Sequence, residues 1–122
     1  MNIHVLLIED EANIARLLEL DLSDVGYRVT VAHDGLTGLH LAQTQAPDII
    51  VLDWQLPQLT GLEICQRLRD AGKMMPIIFA TALGDDLPRK AALRAGGTDY
   101  LVKPFSTESL LRVIDEQQAM VA

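Results

Sequence analysis

Short apolar runs of strand length recur along the chain, separated by longer amphipathic stretches. The runs occupy residues 3–8, 27–32, 48–52, 76–80 and 100–102, and each is rich in Ile, Val or Leu. Between them, Ile14, Leu17, Leu18, Leu22 and Val25 fall at helical spacing, as do Thr107, Leu110, Leu111 and Ile114. Thr60-Gly61-Leu62-Glu63 has the pattern of a capping box that opens a helix. Gly26, Gly35, Gly72 and the pair Gly96-Gly97 mark helix ends or turns. Strands alternating with helices predict a parallel sheet covered on both faces. The runs around residues 5, 50 and 78 are continuously apolar, as central parallel strands should be. Residues 27–31 alternate and predict one edge; the short run at 100–102 predicts the other. The expected fold class is α/β and flavodoxin-like, with five parallel strands in the order 2-1-3-4-5.

Bulk properties narrow the function classes. The 122 residues suit one domain over residues 1–122, and 49% apolar content is enough to fill its core. The longest apolar runs, residues 49–52 and 76–80, are far too short to cross a bilayer, and residues 1–10 lack the basic and apolar regions of a signal peptide. The expectation is a cytoplasmic protein that does not engage a membrane. A net charge of −7 argues against direct nucleic-acid binding by this chain. Cys65 is the only cysteine, so no internal disulfide forms, and it reads as a small apolar helix residue. His4, His33 and His40 are scattered and read as structural. Met74 and Met75 lead into the fourth strand and are expected to pack, and Trp54 is expected to pack or sit at a rim.

In such sheets ligands bind beyond the carboxyl ends of the strands. Glu9 and Asp10 follow the first run, Asp53 the third, Thr81 the fourth and Lys103 the fifth. All five therefore converge on one sheet edge. Each also has a plainer role: Glu9, Asp10 or Glu11 as a helix cap, Asp53 as a turn residue, Thr81 as a solvated hydroxyl, Lys103 as a surface charge. Their coincidence on one edge outweighs these separate readings. Three close carboxylates repel unless a cation sits among them, and oxygen ligands suit Mg²⁺ or the similar Mn²⁺. A carboxylate can also act as a nucleophile toward phosphorus. Lys103 would then supply charge, and Thr81 a hydrogen-bond donor, to the phosphoryl oxygens.

These residues resemble the receiver domain of bacterial two-component response regulators. The matching stretches are Leu7-Ile8-Glu9-Asp10-Glu11, Pro47-Asp48-Ile49-Ile50-Val51-Leu52-Asp53, Leu56-Pro57, Gly61, Thr81-Ala82, Gly96, Asp99-Tyr100 and Lys103-Pro104-Phe105. They run in the family's order over nearly the whole chain. The resemblance implies that Asp53 is the phosphoacceptor, with a sensor histidine kinase or phosphotransfer protein as donor. It implies Mg²⁺ held by Asp10, Asp53 and the backbone carbonyl of Gln55, with Glu9 acting through water. It implies Thr81 and Lys103 on phosphoryl oxygens, Tyr100 as an aromatic switch, and a cis Lys103–Pro104 bond. The segment 83–95, with Gly84 and Pro88, is the expected responding element. Gly26-Tyr27 and Lys103-Pro104-Phe105 most resemble the OmpR/PhoB type, which carries a winged-helix DNA-binding domain after the receiver and controls transcription. That implies either part of a longer regulator whose effector domain lies beyond this chain, or a free-standing receiver.

Some positions depart from that pattern. Homodimers of this type form on phosphorylation through the fourth helix, fifth strand and fifth helix. Arg89 and Asp99 fit that set, but Ala95, Thr98, Ser109 and Val113 stand where charges are common. Thr60 replaces a common Asp, and Gly97-Thr98 a common Ala-Asp. Three other functions remain in view. A degenerate receiver would serve as a phosphorylation-independent interaction module, although all five site positions are filled. A flavin- or nucleotide-binding domain needs a phosphate loop where Glu9-Asp10-Glu11 stand. An aspartyl phosphatase needs a second acid where Gln55 stands.

Overall fold

A computed structural model describes residues 3–82 and 89–121. The strands are β1 (His4–Ile8), β2 (Arg28–Ala32), β3 (Ile49–Asp53), β4 (Ile77–Ala82) and β5 (Asp99–Lys103). They alternate with α1 (Ala12–Asp24), α2 (Gly35–Gln45), α3 (Gly61–Asp70), α4 (Arg89–Arg94) and α5 (Thr107–Val121). All pairings are parallel, in the order β2-β1-β3-β4-β5. The flavodoxin-like expectation is met, with β2 and β5 as the edges.

Side chains alternate across a strand, so a doubly covered sheet sends successive apolar residues into two separate cores. Leu6 and Ile8 of β1 join Ile50, Leu52, Ile77 and Phe79 beneath α2, α3 and α4. Val5 and Leu7 join Ile49, Val51 and Ile78 beneath α1 and α5. That is why the central strands read as unbroken apolar runs.

The helix ends follow local chemistry. Asp34 caps α2 by accepting from the Thr37 amide, and Thr60 and Glu63 form both halves of the capping box on α3. Gly26, Gly72 and Gly96 all hold positive φ where a helix turns back toward a strand.

Three expectations need correction. The strands extend past the apolar runs, so Asp53, Thr81 and Lys103 lie within β3, β4 and β5. A polar side chain ends an apolar pattern without ending the backbone ladder. On α1 the buried residues are Ala15, Leu18 and Leu22, whereas Ile14 and Leu17 are exposed and Val25 lies past the helix end. The small Ala15 sits against the sheet, and the contact stripe is narrower than the apolar pattern. Met74 is 83% exposed, while its neighbour Met75 packs. The responding segment falls partly outside the described residues, as do residues 83–88, including Gly84 and Pro88, and the side chain of Arg89.

Candidate functional site at the carboxyl edge of the sheet

Asp53 is the last residue of β3, paired with Ala80 of β4. The chain leaves it through two backbone bonds, Trp54 N–H to the Ala80 carbonyl and Gly61 N–H to the Trp54 carbonyl. Gly61 is required here, because a Cβ would stand 2.4 Å from the Asp53 carbonyl oxygen. The first turn of α3 thus lies directly against the backbone of Asp53. The Gln55 amide also approaches Asp53 Oδ1, at 3.4 Å.

Glu9 follows β1, and its amide donates to the Ala32 carbonyl of β2. Helix capping falls to Glu11, whose side chain accepts from the Asn13 amide. Glu9 and Asp10 are thereby left for the sheet edge. Carboxylate oxygens of Glu9, Asp10 and Asp53 lie within 4.8 Å of one another. Glu9 and Asp53 are buried and Asp10 is exposed, so the cluster opens to solvent on the Asp10 side.

Lys103 closes the other side. Its Nζ lies 2.5 Å from Glu9 Oε1 and 3.3 Å from Asp53 Oδ2. The two buried carboxylates titrate as a pair. Burial and the neighbouring Glu9 push Asp53 up to about 8, against the pull of Lys103. Glu9 is itself opposed by burial, but hydrogen bonds with Asp53 and Lys103 hold it below the ordinary glutamate range. Lys103 sits above its ordinary value, because the two carboxylates outweigh its burial. Glu9 Oε2 is buried with no hydrogen-bond partner. An oxygen-only cluster with an unpartnered buried oxygen and one open side suits a hard divalent cation.

Thr81 is buried in β4, one residue beyond the partner of Asp53 and opposite Val102 of β5. Tyr100 is half-buried on β5, in register with Phe79, and packs against the core under α2, α3 and α4. Phe79 and Thr81 are two residues apart on one strand and so share that face. The Lys103–Pro104 bond is cis, as the resemblance implied. Trp54 packs edge-on against Phe79, with ring centroids 6.0 Å apart.

Two features of the site escaped the sequence. One is the Lys103–Glu9 ion pair, since spacing cannot say which carboxylate a lysine prefers. The other is His33, whose Nδ1 lies 3.1 Å from the Glu9 carbonyl. His33 directly follows the run at 27–32, so reading the residue after every strand would have reached it.

The response regulator receiver domain family model matches residues 5–115. The chain is 41% identical over 111 residues to the response regulator MprA of Mycobacterium ulcerans, covering 91% of this chain and 48% of that protein. It is 45% identical over 107 residues to the response regulator ArlR of Staphylococcus aureus, covering 88% of this chain and 48% of that protein. It thus spans about half the length of these curated relatives, which are of the OmpR/PhoB type. Among solved structures, the receiver domain of the Francisella response regulator 1452 superposes with a TM-score of 0.93 at 32% identity, covering 99% of this chain and 100% of that one. The Vibrio cholerae chemotaxis protein CheY4 superposes with a TM-score of 0.88 at 30% identity, covering 96% and 99%. With family, relatives and fold in agreement, this chain belongs to the response regulator receiver domains, signalling modules rather than enzymes in the ordinary sense.

Proposed function

We propose that this domain accepts a phosphoryl group on Asp53 from a sensor histidine kinase or phosphotransfer protein and relays that event to an output. The observation that carries the reading is the Glu9–Lys103–Asp53 contact beside Asp10 at the carboxyl edge of the sheet. An Asp53 carboxylate oxygen attacks phosphorus, the donor's phosphorus–nitrogen bond breaks, and the histidine nitrogen leaves with the bonding pair. Lys103, already against both carboxylates, moves its ammonium onto an incoming phosphoryl oxygen. Thr81, buried one residue along β4, donates its hydroxyl to another. The domain assists its own phosphorylation and dephosphorylation and no other reaction.

Asp10, Asp53 and the Gln55 carbonyl would hold Mg²⁺ or Mn²⁺ directly, with Glu9 acting through water. When bound, the cation supplies charge that offsets the clustered carboxylates and the arriving phosphoryl group. The partner docks beside the site. Ile14, Leu17 and Leu18 of α1 line an apolar groove of about 500 Å³ with Pro104 and Phe105, bordered by Lys103. Exposed apolar patches of that kind mark protein contacts.

The output follows from the geometry of β4 and β5. A phosphoryl group draws Thr81 and Lys103 on adjacent strands, and Tyr100 lies on the Thr81 face of the sheet. The α4–β5–α5 surface then changes and controls an output, with transcription through a DNA-binding domain beyond this chain as the reading that the relatives support. The substituted charges argue against the family's usual homodimer through this surface: Thr98 and Ser109 are uncharged, and Ala95 and Val113 are buried in the two cores. The domain acts in the cytoplasm; no described helix is long and apolar enough to cross a membrane.

Intact-mass spectrometry after incubation with a small-molecule phosphodonor, with and without Mg²⁺, tests the reading. One Mg²⁺-dependent phosphoryl adduct, absent from Asp53→Ala, is expected. No adduct, together with no Mg²⁺ effect on Trp54 fluorescence, would instead indicate a phosphorylation-independent interaction module.

A further inference from the structure

The turn between α4 and β5 is fastened at every residue, and α3 supplies the side chains that hold its first two. Arg69 Nε and Nη2 both donate to the Gly96 carbonyl, at 3.0 and 2.7 Å, and Nη1 donates to the Lys73 carbonyl at 2.9 Å. Both carbonyls lie in the turns just past a helix, so one planar guanidinium ties the turn after α3 to the turn after α4. One helical turn earlier, Cys65 donates its Sγ–H to the Ala95 carbonyl at 3.2 Å. Burial pushes this thiol up to about 11, which keeps it a donor. Gly96 holds φ +104°, and a Cβ there would meet Arg69 Cγ at 2.5 Å, so the arginine stem fills the space above it. Gly97 donates its amide to the Ala92 carbonyl and lies flush on Phe79, whose ring would stand 2.6 Å from a Cβ. Thr98 bonds Ile77 through its backbone amide and twice through its hydroxyl.

We propose that Arg69 is the positioning residue of the switch: it anchors the α4–β5 turn, so α4 answers the acceptor site by pivoting about Gly96 rather than by sliding as a unit. This rests on the phosphoacceptor reading above. The chain that follows Thr81 leads to the other end of α4, and the far end of β5 carries Lys103. A pull at Thr81 therefore reaches a helix that packs on the core through Ala91 and Ala92 and whose far end is fastened through the turn. Displacement then grows with distance from Gly96. Without the fork the turn gives, and the same pull spreads into residues 95–98.

Amide spectra of the domain with Mg²⁺ alone and with Mg²⁺ plus beryllofluoride, a phosphoryl mimic, test this in the parent, Arg69→Met and Arg69→Lys. In the parent, resonances of Thr81, Ala82 and Lys103 are expected to move while those of Gly96, Gly97 and Thr98 stay. In Arg69→Met the change is expected to reach Gly96–Thr98, with the amides of β1 and β3 unmoved as the check on folding. Arg69→Lys keeps the charge but not the fork, and is expected to behave like Met. Without beryllofluoride, the Gly97 and Thr98 amides of Arg69→Met should exchange with solvent about tenfold faster or more, as expected on losing charge-assisted bonds that hold a local unit closed. Parent shifts at Gly96–Thr98 as large as those at Lys103, or unchanged exchange in Arg69→Met, would overturn the anchor while leaving the acceptor reading intact. If beryllofluoride moves neither Thr81 nor Lys103 in the parent, the acceptor reading fails and the pivot fails with it.

Discussion

Asp53→Asn should stabilise the fold in the absence of divalent cations, because this carboxylate is held against its electrostatic preference. It is 8% exposed beside Glu9 at 2%, and burial first, then Glu9, pushes it up to about 8 against the pull of Lys103. In the unfolded chain it titrates near the ordinary value of 3.8. Between those values the folded state binds a proton that the unfolded chain does not. Stability contributed by this group is therefore full below about pH 4 and is lost progressively as pH rises toward 8. At roughly 1.4 kcal/mol per unit, the shift sets a ceiling of about 6 kcal/mol. Glu9, held low by hydrogen bonds with Asp53 and Lys103, offsets part of that, leaving about 2–4 kcal/mol. Asparagine keeps the shape, removes the charge and still offers Lys103 an acceptor. Urea titrations followed by far-ultraviolet circular dichroism, run with chelator from pH 4 to pH 8, read the difference directly. Asp53→Asn should exceed the parent by about 2–4 kcal/mol at pH 8 and converge with it near pH 4. Saturating Mg²⁺ should narrow the gap at pH 8, since a ligand that binds only the folded parent stabilises it. A variant equal to or weaker than the parent at pH 8 would show that the Lys103 pairing outweighs burial, and would refute the reasoning.

Other consequences follow from single positions. His4 is buried, bonds Thr30 through Nε2 at 2.8 Å and leaves Nδ1 without a partner. Burial first, then Arg28, lowers its pKa against the pull of Asp48, so the fold resists its protonation and stability drops as pH falls below about 6.5. Replacing His4→Gln should flatten that part of the pH–stability curve in urea melts; an unchanged slope would assign it elsewhere. Gln58 holds φ +74° at an exposed position in the loop after Asp53, so Gln58→Gly should raise stability by about 0.5–1 kcal/mol once glycine's extra unfolded freedom is deducted. A loss on thermal unfolding would mean that the side chain contributes more than its backbone costs. Thr60→Ala removes the capping box on α3 and should cost about 1 kcal/mol, read as a lower urea midpoint at unchanged slope.

Much of this molecule was legible in one dimension because its organisation is periodic. Continuous apolar runs at β1, β3 and β4 declare strands covered on both faces, and the alternation of β2 declares an edge. Order along the chain then brings Glu9, Asp10, Asp53, Thr81 and Lys103 to one side of the sheet, since parallel strands all end there. The capping box at Thr60 and the turn glycines were equally local. What required the tertiary structure was every choice between near-equivalent neighbours. Ile14 and Leu17 match the helical stripe as well as Leu18 does, yet only the position of α1 over β1 and β2 decides that Ala15 and Leu18 are buried. Glu9, Asp10 and Glu11 are consecutive acids, and only packing sends Glu11 to cap α1 and Glu9 inward to Lys103. The displaced value of Asp53 arises from its burial and from a neighbour 44 residues away in the chain, and the Arg69 fork joins carbonyls in the turns after two helices. Periodicity and order are properties of the chain, whereas burial, pairing and charge depend on distances that exist only after the chain has folded.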